Sequence, residues 1–381
     1  MNTQTCSTPA DRPLSVVHIL WGLEMGGGQG SLLAVVRNST PHGLRNSAIA
    51  FHGGAAAACL EEAGCPVTVL EKHPGFDRTV TARLVAELER NRPDLLHCHD
   101  FTACFWGNRA ADRLGLRPRV ATLHSWMLGL PWPKRLLFTR ELRRMDRVIV
   151  LSRASRERLL RRGFDAAVLA DLPVGPLPAA DAAPRLREST RAALGLPPTT
   201  IVALTCARLE PEKNLPFLVE LSRLLRENRP PISFLVAGEG SSRAQLELLV
   251  RKSGLEGTFT LLGLRRDVPA LLAAADIFLL PSHSEELPLA ILEAMAAGLP
   301  IVATPVGALP QIVSGAPGAG FLIPARDVDT WVHRVKDLAA NPVLRQALGG
   351  EGRRRVQDRY DVRSNVAALA ACYRLLAGKR T

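Results

Sequence analysis

Short apolar runs recur along this chain, and the stretches between them return apolar side chains every three or four positions. In the first half the runs are residues 16–21, 47–51, 67–70, 95–99, 120–123 and 148–151. Such runs read as buried strands and the spacers as amphipathic helices, so the alternation predicts strand–helix units wound on a parallel sheet. Residues 172–200 break the rhythm: Pro173, Pro176, Pro178, Pro184, Pro197 and Pro198 stand among alanines and predict a linker holding one short helix. The alternation resumes at residues 201–206, 233–237, 258–262, 277–280, 301–304 and 321–323.

The expected architecture is α/β, with two doubly wound halves facing across a cleft: residues 1–175, a linker over 176–199, then residues 200–360. Open parallel sheets bind ligands beyond the carboxyl ends of their strands, so the cleft is the expected seat of substrate. A last helical stretch, about 341–377 and broken near Asp361, has no strand after it. Its end, 361–381, is expected to pack back on the first half.

Size and composition agree with two globular halves. A chain of 381 residues exceeds the usual single core. The longest apolar stretches are interrupted by Asp276 and Glu293, so none reaches the roughly 20 uninterrupted residues of a membrane span. Residues 1–13 are polar and do not resemble a secretion signal, which makes the cytoplasm the expected location. Seven scattered cysteines without a Cys-x-x-Cys pair argue against a disulfide framework and a zinc site. A net charge of +12 invites a polyanionic partner. Nucleic acid is disfavoured, because there is no zinc-finger spacing, RNA-binding aromatic signature or basic tail.

Candidate chemistry is concentrated in the second half. Arg208 and Lys213 lie just past the strand at 201–206, where two cations can converge on one diphosphate. Gly238, Glu239 and Gly240 follow the strand at 233–237, and glycines there let backbone N–H groups approach a ligand oxygen. In the run 281–300, Pro288 reads as the first residue of a helix ended by Gly298. Glu285 then stands in the loop before that helix and Glu293 inside it, with the free N–H groups of the helix start between them. Spacing alone leaves the bland readings open: a solvated loop for the cations, a cap and a surface charge for the glutamates.

Together, Arg208-x4-Lys213, Gly238-Glu239-Gly240, and Glu285-x7-Glu293 within Glu-Ala-Met-Ala-x-Gly-x-Pro resemble the family 4 (group 1) retaining glycosyltransferases of the GT-B fold. The resemblance covers nearly the whole chain. It implies two Rossmann-like domains, a nucleotide diphosphate sugar held mostly by the second, and neither a cofactor nor a catalytic metal. By position, Arg208 and Lys213 would bind the diphosphate, Glu285 would lie by the sugar hydroxyls, Glu293 would meet the ribose, and Leu287 and Leu289 would flank the ligand. In the first half the resemblance implies sugar-side roles for Gly27, Gly28 and His124, and it likens residues 94–99 to the family's His-x-His strand end.

Several residues depart from that pattern. Gln29 stands where the family usually has glutamate, Glu286 replaces a glycine, and residues 170–173 replace an Asn-Gly turn. The implied reaction is hexosyl transfer in which the acceptor attacks on the face the diphosphate leaves. A sugar-nucleotide epimerase or phosphorylase, and a non-catalytic sugar-nucleotide or nucleic-acid binder, are the rival readings. Two metal possibilities are set aside: His97 and His99 are expected to point to opposite sides of their strand, and Asp327-Val328-Asp329 reads as a helix cap.

The excess charge is local. Residues 109–162 hold fifteen basic side chains and four acidic ones. Within them residues 133–145 predict a helix carrying Leu136, Leu137, Leu142 and Met145 among Lys134, Arg135, Arg140, Arg143 and Arg144, with Trp126 and Trp132 before it. Basic residues beside apolar and tryptophan side chains suit an anionic membrane surface, and a glycan or lipid-linked acceptor. The alternative is that the leucines pack inward and the arginines solvate the surface.

Overall fold

The computed structural model of the protein describes residues 12–73, 75–124, 131–173, 175–176 and 184–378. Trp126, Pro178 and the polar start up to residue 11 lie outside them. The chain divides into two compact units: residues 1–151, 155–174 and 362–381 form one, and residues 152–154 and 175–361 the other.

Unit one is built on strands β1 (Leu14–Gly22), β2 (Leu44–His52), β3 (Val67–Val69), β4 (Leu95–Cys98), β5 (Arg119–Thr122), β6 (Arg147–Val150) and β7 (Leu169–Asp171). They pair in parallel in the order β3-β2-β1-β4-β5-β6-β7, which reverses between β1 and β4. Side chains alternate across each strand, so Val17, Ile19, Leu96, Cys98 and Ala121 share the face packed against Leu84, Leu88 and Trp106. His18, His97 and Thr122 belong to the other face, among Leu32 and Val35 of helix Gly27–Ser39 and Leu369 of helix Val362–Gly378. Helix Phe101–Leu114 shows how the sequence sets its own limits: Asp100 accepts from the Ala103 N–H at its start, and Gly115 ends it at φ +61°.

Unit two carries β8 (Ile201–Cys206), β9 (Ile232–Ala237), β10 (Phe259–Gly263), β11 (Ile277–Leu280), β12 (Ile301–Ala303) and β13 (Gly320–Leu322). The order is β10-β9-β8-β11-β12-β13, again all parallel, and it reverses between β8 and β11. Fully buried Trp331 anchors the core through helix Val328–Ala340, its indole N–H donating to the Ile323 carbonyl. Asp327 caps that helix by accepting from the Thr330 N–H. Helix Pro184–Ala193, from the proline-rich stretch, is part of this unit, where Arg187 and Arg191 both pair with Asp276. The final helical stretch divides into Pro342–Arg359, in unit two, and Val362–Gly378, in unit one.

Candidate active site

In unit two the loops after β8, β9 and β11 are tied to each other by backbone bonds. Ala207 donates to Ala237 (3.0 Å), Leu209 to Glu239 (2.8 Å), and Ser242 to Leu209 (2.8 Å). This close approach explains the glycines. A Cβ on Gly238 would lie 1.8 Å from the Ala207 carbonyl oxygen, and one on Gly240 would lie 2.5 Å from that of Leu209. The Gly238 N–H is committed to the Gly263 carbonyl, so Gly238 supplies room for a neighbouring loop and not a free donor. Glu239 pairs with Arg243.

The two cations are held differently. Lys213 reaches from the β8 loop to Glu285 in the β11 loop, with Nζ 2.6 Å from Oε1, and Ser282 Oγ donates to the same oxygen at 2.7 Å. The pair is nearly enclosed, with side chains 16% and 8% exposed. Arg208 is 53% exposed and pairs with Glu212 at 2.8 Å. Asn214, left-handed at φ +52°, donates to the Pro281 carbonyl and fastens the β8 loop to the β11 loop.

Pro288 is not the first helical residue, as the sequence suggested, but the one before it. Helix Leu289–Ala296 follows, and the Pro288 carbonyl accepts from Ile291 and Leu292. Leu287 and Leu289 are buried against the core. Glu293 is half-buried, and among the described residues no side chain pairs with its carboxylate. Burial pushes its pKa above the usual glutamate value, and burial together with the neighbouring Glu293 charge raises the Cys206 thiol. Glu286 is buried and accepts from Ser152, a residue of the same unit. Gly307 sits at φ +57°, where a Cβ would lie 2.2 Å from the Glu285 carbonyl oxygen.

In unit one the expectation for His97 and His99 is overturned. Residues two apart on a strand face the same way, because the side-chain period is two. The rings stack with centroids 4.2 Å apart. Register adds His18, which is aligned with His97 across the β1–β4 pair. The ligand atoms of these three histidines lie within 4.8 Å of one another. All six ring nitrogens have partners: His18 bonds Asn46 and His99, His97 bonds Tyr373 and Thr122, and His99 bonds His18 and His124. Burial pushes His18 and His124 down to about 4 and holds His97 and His99 well below 6.5, so the rings are neutral. Of this network, sequence reasoning missed His18, Asn46 and Tyr373; the available signal was a single histidine inside an apolar strand.

Helix Gly27–Ser39 starts beside His124. The three atoms nearest a Cβ built on Gly28 belong to the His124 side chain, at 3.5–3.8 Å, and a Cβ on Gly27 would meet nothing within 4 Å. Gln29 donates to the Gly22 carbonyl at 2.7 Å, a bond an ionised glutamate could not make.

Residues 187–355 match the family model described as "Glycosyl transferases group 1", and residues 25–175 the one described as "Glycosyltransferase Family 4". A D-inositol 3-phosphate glycosyltransferase of Saccharomonospora viridis is 30% identical over 74% of this chain and 70% of its own. A GDP-mannose-dependent phosphatidylinositol monomannoside mannosyltransferase of Mycolicibacterium smegmatis is 30% identical over 74% of this chain and 78% of its own. The chain belongs to the group 1, family 4 glycosyltransferases. Among solved structures, this glycosyltransferase resembles the Anabaena protein HepE, in complex with UDP and glucose, at TM-score 0.78. Identity is 22%, over 95% of this chain and all of that one. It also resembles WaaG, a glycosyltransferase involved in lipopolysaccharide biosynthesis, at TM-score 0.74 and 18% identity over 94% of this chain and 99% of that one. Both likenesses show that the glycosyltransferase has the GT-B fold.

Proposed function

We propose that this glycosyltransferase moves a hexosyl unit from a nucleoside diphosphate sugar to a glycan or lipid-linked acceptor, with retention and without a metal. The observation that carries this is the Lys213–Glu285 pair bridging the loops after β8 and β11. Those strands flank the point where the sheet order reverses, which is where open α/β sheets bind ligands. Lys213, Arg208 and the N–H groups at the start of helix Leu289–Ala296 take the diphosphate, and Glu293 takes the ribose.

Negative charge grows on the diphosphate as the sugar bond breaks, and fixed cations stabilise that charge more than the ground state. Glu285, which holds Lys213 before the donor arrives, is left facing the sugar hydroxyls. The acceptor hydroxyl enters on the departing side and gives its proton to the leaving phosphate oxygen. The use of Asp327 as a helix cap supports metal independence, because the chain's Asp-x-Asp already has a structural role.

On the acceptor side we propose an anionic membrane surface. Helix Trp132–Leu142 exposes Trp132 (71%) and Leu136 (53%) beside Lys134 and Arg140. A chain of rings, Phe138, Phe101, Phe105 and exposed Phe76, continues the apolar edge. Among the described residues no helix is long and apolar enough to cross a membrane. The related mannosyltransferase acts on a phosphatidylinositol mannoside, which supports the same reading.

The test is to incubate the purified protein with a panel of nucleoside diphosphate sugars and candidate acceptors, in chelator, and to read anomeric configuration by NMR. Release of nucleoside diphosphate with an unchanged anomeric configuration is expected. An inverted product, or activity that appears only with added magnesium or manganese, overturns the corresponding part.

A further inference from the structure

The buried histidines of unit one form a chain with a direction, and the direction starts at a group that can only accept. Ser39 Oγ donates its one proton to the Val36 carbonyl at 2.9 Å, so it must accept from Asn46 Nδ2 at 2.7 Å. That fixes the Asn46 amide with Oδ1 toward His18 Nε2, 3.1 Å away. An amide oxygen only accepts, so His18 carries its proton on Nε2 and leaves Nδ1 bare. His18 Nδ1 then accepts from His99 Nε2 at 2.9 Å, and the bare His99 Nδ1 accepts from His124 Nε2 at 2.9 Å. Each neutral ring passes the choice to the next.

We propose that Asn46, His18 and His99 are positioning residues that fix His124 as its Nε2–H tautomer, so that it presents an unprotonated Nδ1 to a sugar hydroxyl. Among the described residues His124 Nδ1 has no partner, the residue is half-buried, and glycine at position 28 sets no Cβ against its Cγ–Cδ2 edge. A bare, uncharged nitrogen attracts an O–H and repels a phosphate oxygen, so the site selects a hydroxyl of the donor hexose or of the acceptor. The inference rests on the glycosyltransferase reading for its ligand, but not for its tautomer.

The tautomer is read directly on the whole protein by histidine-selective ¹⁵N labelling and long-range ¹H–¹⁵N correlation, with His124→Asn assigning the signal. His18, His99 and His124 are each expected to carry the proton on Nε2. A proton on His124 Nδ1 overturns the proposal, whatever the enzymatic activity. Asn46→Leu removes the anchor, and both His124 tautomers should then appear while transfer slows.

Function is read with two replacements. Asparagine at position 124 keeps an amide oxygen near the place of Nδ1, whereas glutamine reaches the place of Nε2. His124→Asn should retain more activity than His124→Gln, which should lose about tenfold, the effect of one neutral hydrogen bond. A loss seen in donor hydrolysis without acceptor assigns the hydroxyl to the donor, and a loss confined to the acceptor KM assigns it to the acceptor. Equal activity of the two variants overturns the ligand assignment.

Discussion

Lys213 and Arg208 carry the same charge in different surroundings, and substitution should separate their effects. Lys213→Ala leaves the carboxylate of Glu285 buried with only Ser282 to satisfy it, a cost of about 1–3 kcal/mol. Both melting temperature and turnover should fall. Arg208→Ala removes an exposed pair worth roughly 0.2–1 kcal/mol, so its melting temperature should change little while turnover drops about 10²- to 10³-fold. Thermal denaturation beside steady-state kinetics checks both, and near-normal turnover in either variant would remove that residue from the site. Glu293 illustrates the opposite balance. Its pKa is raised by burial, so its stabilising contribution is present below the unfolded value and is lost as pH rises through the folded one. Above the unfolded value the buried carboxyl is therefore a cost to the free protein. Glu293→Gln should therefore raise the melting temperature at pH 7 yet weaken nucleotide binding by about 1.5–3 kcal/mol, roughly ten- to a hundredfold in Kd. Unchanged nucleotide affinity by calorimetry would exclude the ribose role. These four charged positions were legible because each follows a strand at a fixed offset. His18 was not, since its partners Asn46 and His99 come from other strands and pairing register is invisible in a linear pattern.

At the scale of elements, twelve strands could be read from apolar runs, and the one left out is β7. Its three residues, Leu169–Asp171, run into the stretch 170–173 that was read only as replacing an Asn-Gly turn, although Leu169 is buried and β7 completes the sheet edge beside β6. A strand this short carries too few alternations to show a period. The glycines after β9 were read as letting backbone N–H groups approach a ligand oxygen, whereas what approaches Gly238 and Gly240 is the neighbouring loop; another glycine, Gly307, is crowded in the same way. At Gly307 it is the backbone of the β11 loop, with Ala308 donating to the Glu286 carbonyl at 2.7 Å. Gly307→Ala places a methyl against the Glu285 carbonyl in a left-handed conformation that itself costs about 1–2 kcal/mol. The loop must shift, and Glu285 with it. Donor binding is expected to fall at least tenfold, because the displaced loop carries Glu285 and its bond to Lys213. Donor affinity equal to that of the parent would mean that the loop tolerates the displacement and that its position does not set the site.

Across the whole molecule, the alternation of runs and spacers was sufficient for two doubly wound units, because each buried parallel strand needs its own covering helix. Charge at this scale was legible only as a total, and the structure shows how it is distributed. The four acids within residues 109–162 are all engaged: Asp112 with Arg119 and Arg144, Glu141 with Arg109 and Arg144, Asp146 with Arg117, and Glu157 with Arg161. What remains is a basic excess around helix Trp132–Leu142, whose apolar residues divide between the two readings. Phe138 and Leu142 pack inward, while Trp132 and Leu136 face solvent. Lys134 and Arg140 are exposed beside them, whereas Arg144 is tied to buried Glu141 and its reversal would disturb the fold. Lys134→Glu with Arg140→Glu is therefore the clean test of membrane attachment. Each basic contact near an anionic surface contributes about 1 kcal/mol, so reversing two charges should weaken binding to phosphatidylserine vesicles by a hundredfold or more at low salt. Trp132→Ala should weaken it further through lost apolar insertion, and raised salt should release the parent protein. Donor hydrolysis should be unaffected in both variants. If the parent ignores anionic vesicles in a flotation assay at low ionic strength, the exposed tryptophan and leucine have another partner and the acceptor is a soluble glycan.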